Sequence, residues 1–160
     1  MAIKVGDKLP EATFMVMTAE GPKPKTTAEV FGGKKVGLFA VPGAFTPGCS
    51  KTHMPGFVAN EMKLKEKGLD EVCCTAVNDA FVMDAWAKAQ GADGKIMMLA
   101  DGSADFAKKL GLELDLNARG LGVRSKRYSM VVDDGVVKSL EIDESGIDKS
   151  SAENMLACSF

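Results

Sequence analysis

Three short apolar runs, each followed by residues at helical spacing, limit what this chain can fold into. Val36–Val41 reads VGLFAV, Val72–Val77 reads VCCTAV and Ile96–Ala100 reads IMMLA. Runs without polar alternation fit strands covered on both faces, the pattern of a largely parallel sheet. After the first run, Phe57, Met62 and Leu64 carry a helix to a stop at Gly68, and Pro55 inside it is expected to kink it, because proline removes a donor and crowds the preceding turn. After the second, Asp79 can cap a helix Ala80–Ala89 whose Phe81, Val82, Ala85 and Trp86 form an apolar stripe. After the third, Asp101 or Ser103 opens a helix that ends at Lys108-Lys109-Leu110-Gly111.

The rest of the chain adds edges to this repeat. An early strand lies near Thr13–Met17, and Glu20-Gly21-Pro22-Lys23-Pro24-Lys25 reads as a surface loop. Tyr128–Val132, the turn Asp133-Asp134-Gly135 and Val136–Ile142 make a β-hairpin, and Ser150 or Ser151 starts a last helix with Met155 and Leu156. Two βα crossovers, a hairpin and a closing helix match an α/β fold, a thioredoxin-like sandwich with a central mixed β-sheet flanked by helices. At 160 residues the chain is expected to form one domain, residues 1–160.

Composition narrows the partners. Apolar residues make up 46% and charged ones 26%, an ordinary globular mix. A formal charge of −2 offers no footprint for nucleic acid. No apolar run approaches the roughly 20 residues of a membrane helix, and the start MAIKVGD lacks the apolar centre of a signal peptide. Cysteines at 49, 73, 74 and 158 are too sparse for a disulfide scaffold and lack the spacing of a zinc site. A reducing compartment is expected: the cytoplasm, or an organelle such as the chloroplast or mitochondrion if a transit peptide has been trimmed.

Residues 42–49, PGAFTPGC, leave the first apolar run through two prolines and two glycines and put a cysteine at the next helix start. In open α/β sheets, reactive ligands bind beyond the carboxyl ends of strands, where such loops lie. A cysteine in a first helical turn meets unpaired N–H groups and the positive end of the helix dipole, and both favour thiolate over thiol. Pro42 and Pro47 stiffen the approach, Gly48 lets backbone come close to a bound atom, and Thr46 places a hydroxyl three residues before the sulfur, able to donate to it or to a substrate oxygen. The loop presents an activated thiolate.

The spacing Pro42-x-x-x-Thr46-x-x-Cys49 resembles the active-site motif of the peroxiredoxins, thiol peroxidases of the thioredoxin superfamily. The likeness continues through KTHMPGF (51–57), AVNDAFV (76–82), LADG (99–102) and KRYSMVV (126–132), and is similar to the type II, or peroxiredoxin-5, subfamily with its plant and algal members. The resemblance implies that Cys49 attacks a peroxide oxygen and becomes sulfenic acid, that Thr46 orients the peroxide, and that Pro42 shields the pocket from water. It implies that Arg127 supplies a fixed positive charge to the thiolate and the leaving oxygen, so that Thr46, Gly48, Cys49 and Arg127 bind substrate. Arg127 could instead be a surface strand cation, and Arg124 competes for the same role. Substrates would be hydrogen peroxide and alkyl hydroperoxides, reduced with no metal or organic cofactor.

The pattern departs from relatives that close a disulfide within the chain, because Gly146–Ser151 holds no cysteine. Cys74 lies where plant-type relatives have a second cysteine, but alternation sends Cys73 and Cys74 to opposite faces of a core strand, which favours buried structural roles. Cys158 could resolve the sulfenate or be a merely exposed thiol. The implied reductant is external, glutathione with glutaredoxin or thioredoxin. Cys49 and His53 share a helix face, which also admits a Cys-His hydrolase, though no orienting Asn or Asp is evident. Phe45, Phe81 and Trp86 read most simply as core or pocket wall; since the related subfamily pairs near its active-site loops, Phe45 and Phe81 could lie in a homodimer contact. Asp143-Glu144-Ser145-Gly146 reads as a solvated loop and no metal site. A thioredoxin-like binding module that keeps the motif is the rival in another class, and turnover with a reductant separates the two.

Overall fold

The computed structural model describes residues 2–158. Seven strands form one mixed sheet in the order β2-β1-β5-β4-β3-β8-β9. Its centre is the parallel trio β3 (Lys35–Ala40), β4 (Glu71–Ala76) and β5 (Met97–Ala100) that the apolar runs predicted. The hairpin β8 (Arg127–Asp133) and β9 (Val136–Asp143) extends it antiparallel along β3. Beyond β5 lie β1 (Thr13–Thr18) and β2 (Gly21–Thr26), with β1 joined to β5 by the single pair Met15–Ala100.

Helices cover both faces, as unalternating strands require. The helices α2 (Met54–Lys67), α3 (Ala80–Ala89) and α5 (Ala152–Ala157) pack on one face, around Phe39, Phe57, Trp86 and Met155. The helices α1 (Thr27–Phe31) and α4 (Asp105–Leu110) pack on the other, around Phe14, Phe31, Leu38 and Phe106. Each expected cap is present. Asp79 accepts from the Val82 N–H at 2.8 Å, Gly68 ends α2 at φ +131°, and Ser151, rather than Ser150, caps α5. Asp101, rather than Ser103, serves α4, accepting from the N–H groups of Phe106 and Ala107.

Three sequence expectations give way. Of residues 20–25 only Glu20 lies in a turn: Gly21–Thr26 is edge strand β2, paired with β1 along its whole length. Pro22 and Pro24 fall at alternate positions, so their missing N–H groups share the outer edge, where nothing needs a donor. Pro55 does not kink α2 from within. It sits in the first turn of α2, where proline is tolerated, and the irregularity lies upstream in a π-helical turn, Cys49–His53, closed by Met54 N–H to the Cys49 carbonyl. Asp143 is not in a solvated loop but is the buried end of β9. The chain also forms a small second sheet of β6 (Glu113–Leu116) and β7 (Gly122–Ser125), which carries Arg124. Thr26 and Glu29 complete a reciprocal capping box on α1, the structure that the Thr-x-x-Glu spacing of residues 26–29 encodes.

Candidate active site

The loop after β3 turns at Pro42–Phe45 and becomes helical at Pro47. The first helical hydrogen bond runs from the Ser50 N–H to the Thr46 carbonyl at 3.0 Å. That register puts Pro47 in the first helical position, where its fixed φ suits the turn, and leaves the next N–H groups without intrahelical acceptors. Cys49 therefore lies in the first turn, as its spacing predicted. Its side chain is wholly enclosed.

Arg127, the first residue of β8, reaches the sulfur: Nη2 donates to Cys49 Sγ at 3.2 Å. Its other terminal nitrogen, Nη1, donates to His53 Nδ1 at 2.8 Å. A guanidinium has only donors, so Nδ1 must accept and the imidazole proton sits on Nε2. There it donates to the Ser150 carbonyl at 2.9 Å. Phe39 and Phe57, stacked with centroids 3.9 Å apart, wall the imidazole at 5.0 and 5.6 Å. This burial is the largest cause that lowers the His53 pKa to about 4, with the Arg127 charge adding to it and the Ser150 hydrogen bond and the Asp143 charge opposing it. His53 is thus a neutral acceptor at physiological pH.

Arg124 does not compete for the sulfur. Its Nε donates to the Leu121 carbonyl and its Nη1 to the Val77 carbonyl, which ties β7 to the loop after β4. That loop is held to the cysteine loop by the Ala44 N–H donating to Asn78 Oδ1 at 2.9 Å. Thr46 Oγ1 donates its proton to the Gly43 carbonyl at 2.7 Å, so the hydroxyl offers lone pairs rather than a donor to anything bound beside it. Pro42 is half-buried at the head of the loop. Gly48 is exposed, and a Cβ there would touch Arg127 Nη2 at 3.4 Å and Ile147 Cδ1 at 3.5 Å, so its missing side chain keeps the approach to the guanidinium clear.

The remaining cysteines stand apart. Cys73 and Cys74 point into opposite cores, as alternation predicted, and burial pushes both thiols up, well out of reach of ionisation. Cys158 is partly exposed at the end of α5, where Sγ donates to the Asn154 carbonyl. Trp86 is buried, as read, and its Nε1–H donates to Ser50 Oγ at 2.9 Å, fixing α3 to the residue after the cysteine. Phe45 and Phe81 are not core: they are 55% and 66% exposed. Sequence reasoning noted His53 only as a hydrolase partner for Cys49; in the fold its ring serves Arg127 instead.

The redoxin family model matches residues 4–156. Chloroplastic peroxiredoxin-2E of Arabidopsis thaliana is 51% identical over 160 residues, covering 97% of this chain and 68% of that protein. Chloroplastic peroxiredoxin-2E-2 of Oryza sativa is 50% identical, covering 96% and 71%. Among solved structures, reduced Prx3 of Vibrio vulnificus in complex with hydrogen peroxide superposes with a TM-score of 0.93 at 49% identity, covering 97% and 98% of the two chains. Peroxiredoxin 5 of Alvinella pompejana gives 0.84 at 37%, covering 97% and 96%. A cysteine at a helix start under a strand-borne arginine, on this sheet and with these relatives, leaves one conclusion: the chain belongs to the redoxin family as a type II peroxiredoxin, a thiol peroxidase.

Proposed function

We propose that Cys49 is the peroxidatic residue and that it reduces hydrogen peroxide and alkyl hydroperoxides. The contact that carries this reading is Arg127 Nη2 at 3.2 Å from Cys49 Sγ in the first turn of a helix. The guanidinium and the free N–H groups offset the cost of holding a thiolate away from water. The thiolate attacks one oxygen of the hydroperoxide, the O–O bond breaks, and the departing alkoxide takes a proton to leave as alcohol, or as water from hydrogen peroxide. Cys49 becomes sulfenic acid. Arg127 steadies charge on the leaving oxygen. Thr46 Oγ1, with its proton given to Gly43, accepts from the hydroperoxide O–H and so aims it, while Gly48 leaves room and Pro42 keeps water out.

Regeneration falls to an external thiol, from glutathione with glutaredoxin or from thioredoxin. A first thiol displaces water from the sulfenate to form a mixed disulfide, and a second releases Cys49 as thiolate with a new disulfide. Two features favour this route over an internal one: Cys73 and Cys74 are sealed in the two cores, and Cys158 lies at the far end of α5. Because Cys49 is enclosed, the π-helical turn must open before a protein thiol can reach it. The chloroplastic relatives make an organelle a fitting compartment, beside the cytoplasm. Pairing into a homodimer is supported by Phe45, which holds an exposed ring on a backbone at φ +66°, a conformation non-glycine residues adopt at a cost.

The experiment is peroxide consumption with each reductant. Cys49→Ser should abolish it, whereas Cys73→Ser, Cys74→Ser and Cys158→Ser should keep most of it. Turnover by Cys49→Ser would end the assignment.

A further inference from the structure

We propose that Asp143 is a positioning residue for the peroxidatic centre, acting through the tautomer of His53; the proposal rests on the reading of Cys49 as the peroxidatic thiolate. Asp143 ends β9 directly opposite Arg127 in the β8–β9 register, yet its carboxylate turns to the loop that follows. Oδ2 accepts from the Asp148 N–H at 3.1 Å, the Ser150 N–H at 2.8 Å and Ser150 Oγ at 2.7 Å, and Oδ1 accepts from the Lys149 N–H at 3.1 Å. Four donors on one carboxylate fold residues 143–150 into a single shape. Burial would raise the Asp143 pKa, but these donors together hold it below the ordinary carboxylate value.

The shape matters because of where it aims one carbonyl. Ser150, fully buried, presents its C=O to His53 Nε2. A carbonyl can only accept, so it demands the proton on Nε2 and leaves Nδ1 bare. Bare Nδ1 is what Arg127 Nη1 needs, and that bond leaves Nη2 for the sulfur. With the proton on Nδ1, the imidazole would present N–H to N–H at Arg127 and lone pair to lone pair at Ser150. The same loop sets Ile147 against Gly48 beside the guanidinium. Only an ionised carboxylate suits the position: an amide supplies one acceptor oxygen and turns its own N–H groups on the remaining donors.

His53 is the only histidine and Trp86 the only tryptophan of the chain, so both readouts are unambiguous. The test records 15N spectra of His53 in the full-length protein and follows Cys49 oxidation by hydrogen peroxide in stopped flow through the fluorescence of Trp86, which is bonded to Ser50. Wild type should show the Nε2–H tautomer alone. Asp143→Asn should mix the two tautomers and slow oxidation about ten-fold, the loss expected when a charged hydrogen-bonding partner is removed, with the far-ultraviolet circular dichroism unchanged. Glu144→Gln, at an exposed neighbour, should match wild type. Ser150→Ala, which deletes one of the four donors and keeps the carbonyl, should shift the tautomer less in the same direction, and it decides the matter if Asp143→Asn does not fold. Nδ1–H in wild type, an unshifted tautomer in the variant that folds, or a slowed Asp143→Asn with its tautomer intact would each overturn the proposal. A wild type inert to hydrogen peroxide would instead remove the peroxidase reading and leave the tautomer result standing.

Discussion

Single atoms decide what the cysteine loop can do. The Thr46 proton is committed to Gly43, so Thr46→Ser keeps both that bond and the lone pairs, whereas Thr46→Val loses both. Peroxide rate constants measured in stopped flow should fall about ten- to a hundred-fold for valine and less than about three-fold for serine; equal losses would reassign Thr46 to packing. His53 sets a pH dependence of stability. Its pKa is about 4 when folded against 6.5 as a free side chain, so between these values the unfolded chain binds more protons. Its contribution is complete above pH 6.5 and drains away as pH falls toward 4, at about 1.4 kcal/mol per pH unit and about 3 kcal/mol in all. Urea midpoints across that window should show this slope, and His53→Gln should lack it. At this scale the sequence was readable where a residue acts alone, as with Cys49 in its helix start and Asp79 at its cap. It was not readable for His53 and Asp143, because their meaning comes from partners on another strand and a distant loop.

Elements show the same division. Strands β3, β4 and β5 were legible because continuous apolar runs admit few other structures. Helix α3 was legible by its cap, although its buried face is Ala80, Met83, Trp86 and Ala87 and not the stripe of Phe81, Val82, Ala85 and Trp86. Strand β2 was hidden by its prolines, which argue against a central strand but not against an edge. The π-helical turn was hidden because proline forecasts a disturbed helix without saying on which side the disturbance falls. The packing of α5 on the sheet also rests on an absence. Gly37 in β3 has no side chain where a Cβ would lie 2.7 Å from Leu69 Cδ1 and 3.0 Å from Met155 Sδ. Gly37→Ala should therefore push α5 outward and cost about 1–3 kcal/mol by overpacking, read as a lower urea midpoint. Because α5 follows directly on the Ser150 loop, the same variant should also slow Cys49 oxidation, which an alanine at exposed Lys63 on α2 should not.

For the whole molecule, the exposed phenylalanines matter most. The loop that carries Phe45 is stitched by Ala44 and Asn78 to the segment that leads into α3, whose first turn carries Phe81, so both residues lie at the end of the molecule that holds the active-site loop. If the homodimer proposed above forms, Phe81→Asp should weaken it in sedimentation velocity, with Met62→Asp, a comparably exposed change on α2, as the control that leaves it intact. The fold as a whole was legible from the alternation of runs and helices, and so were β1 and the β8–β9 hairpin at the outer reaches of the sheet, where β2 alone was missed. Those reaches differ from the centre in another respect. Strand β3 is paired on both sides along its length, whereas β1 meets β5 at one pair and is otherwise held to the body by contacts such as the Phe14–Phe106 ring pair at 4.8 Å. To a deuteron in the solvent, then, the single sheet is two objects: a hairpin whose amides exchange whenever it swings free of Ala100, and a centre whose amides wait for the entire chain to come apart.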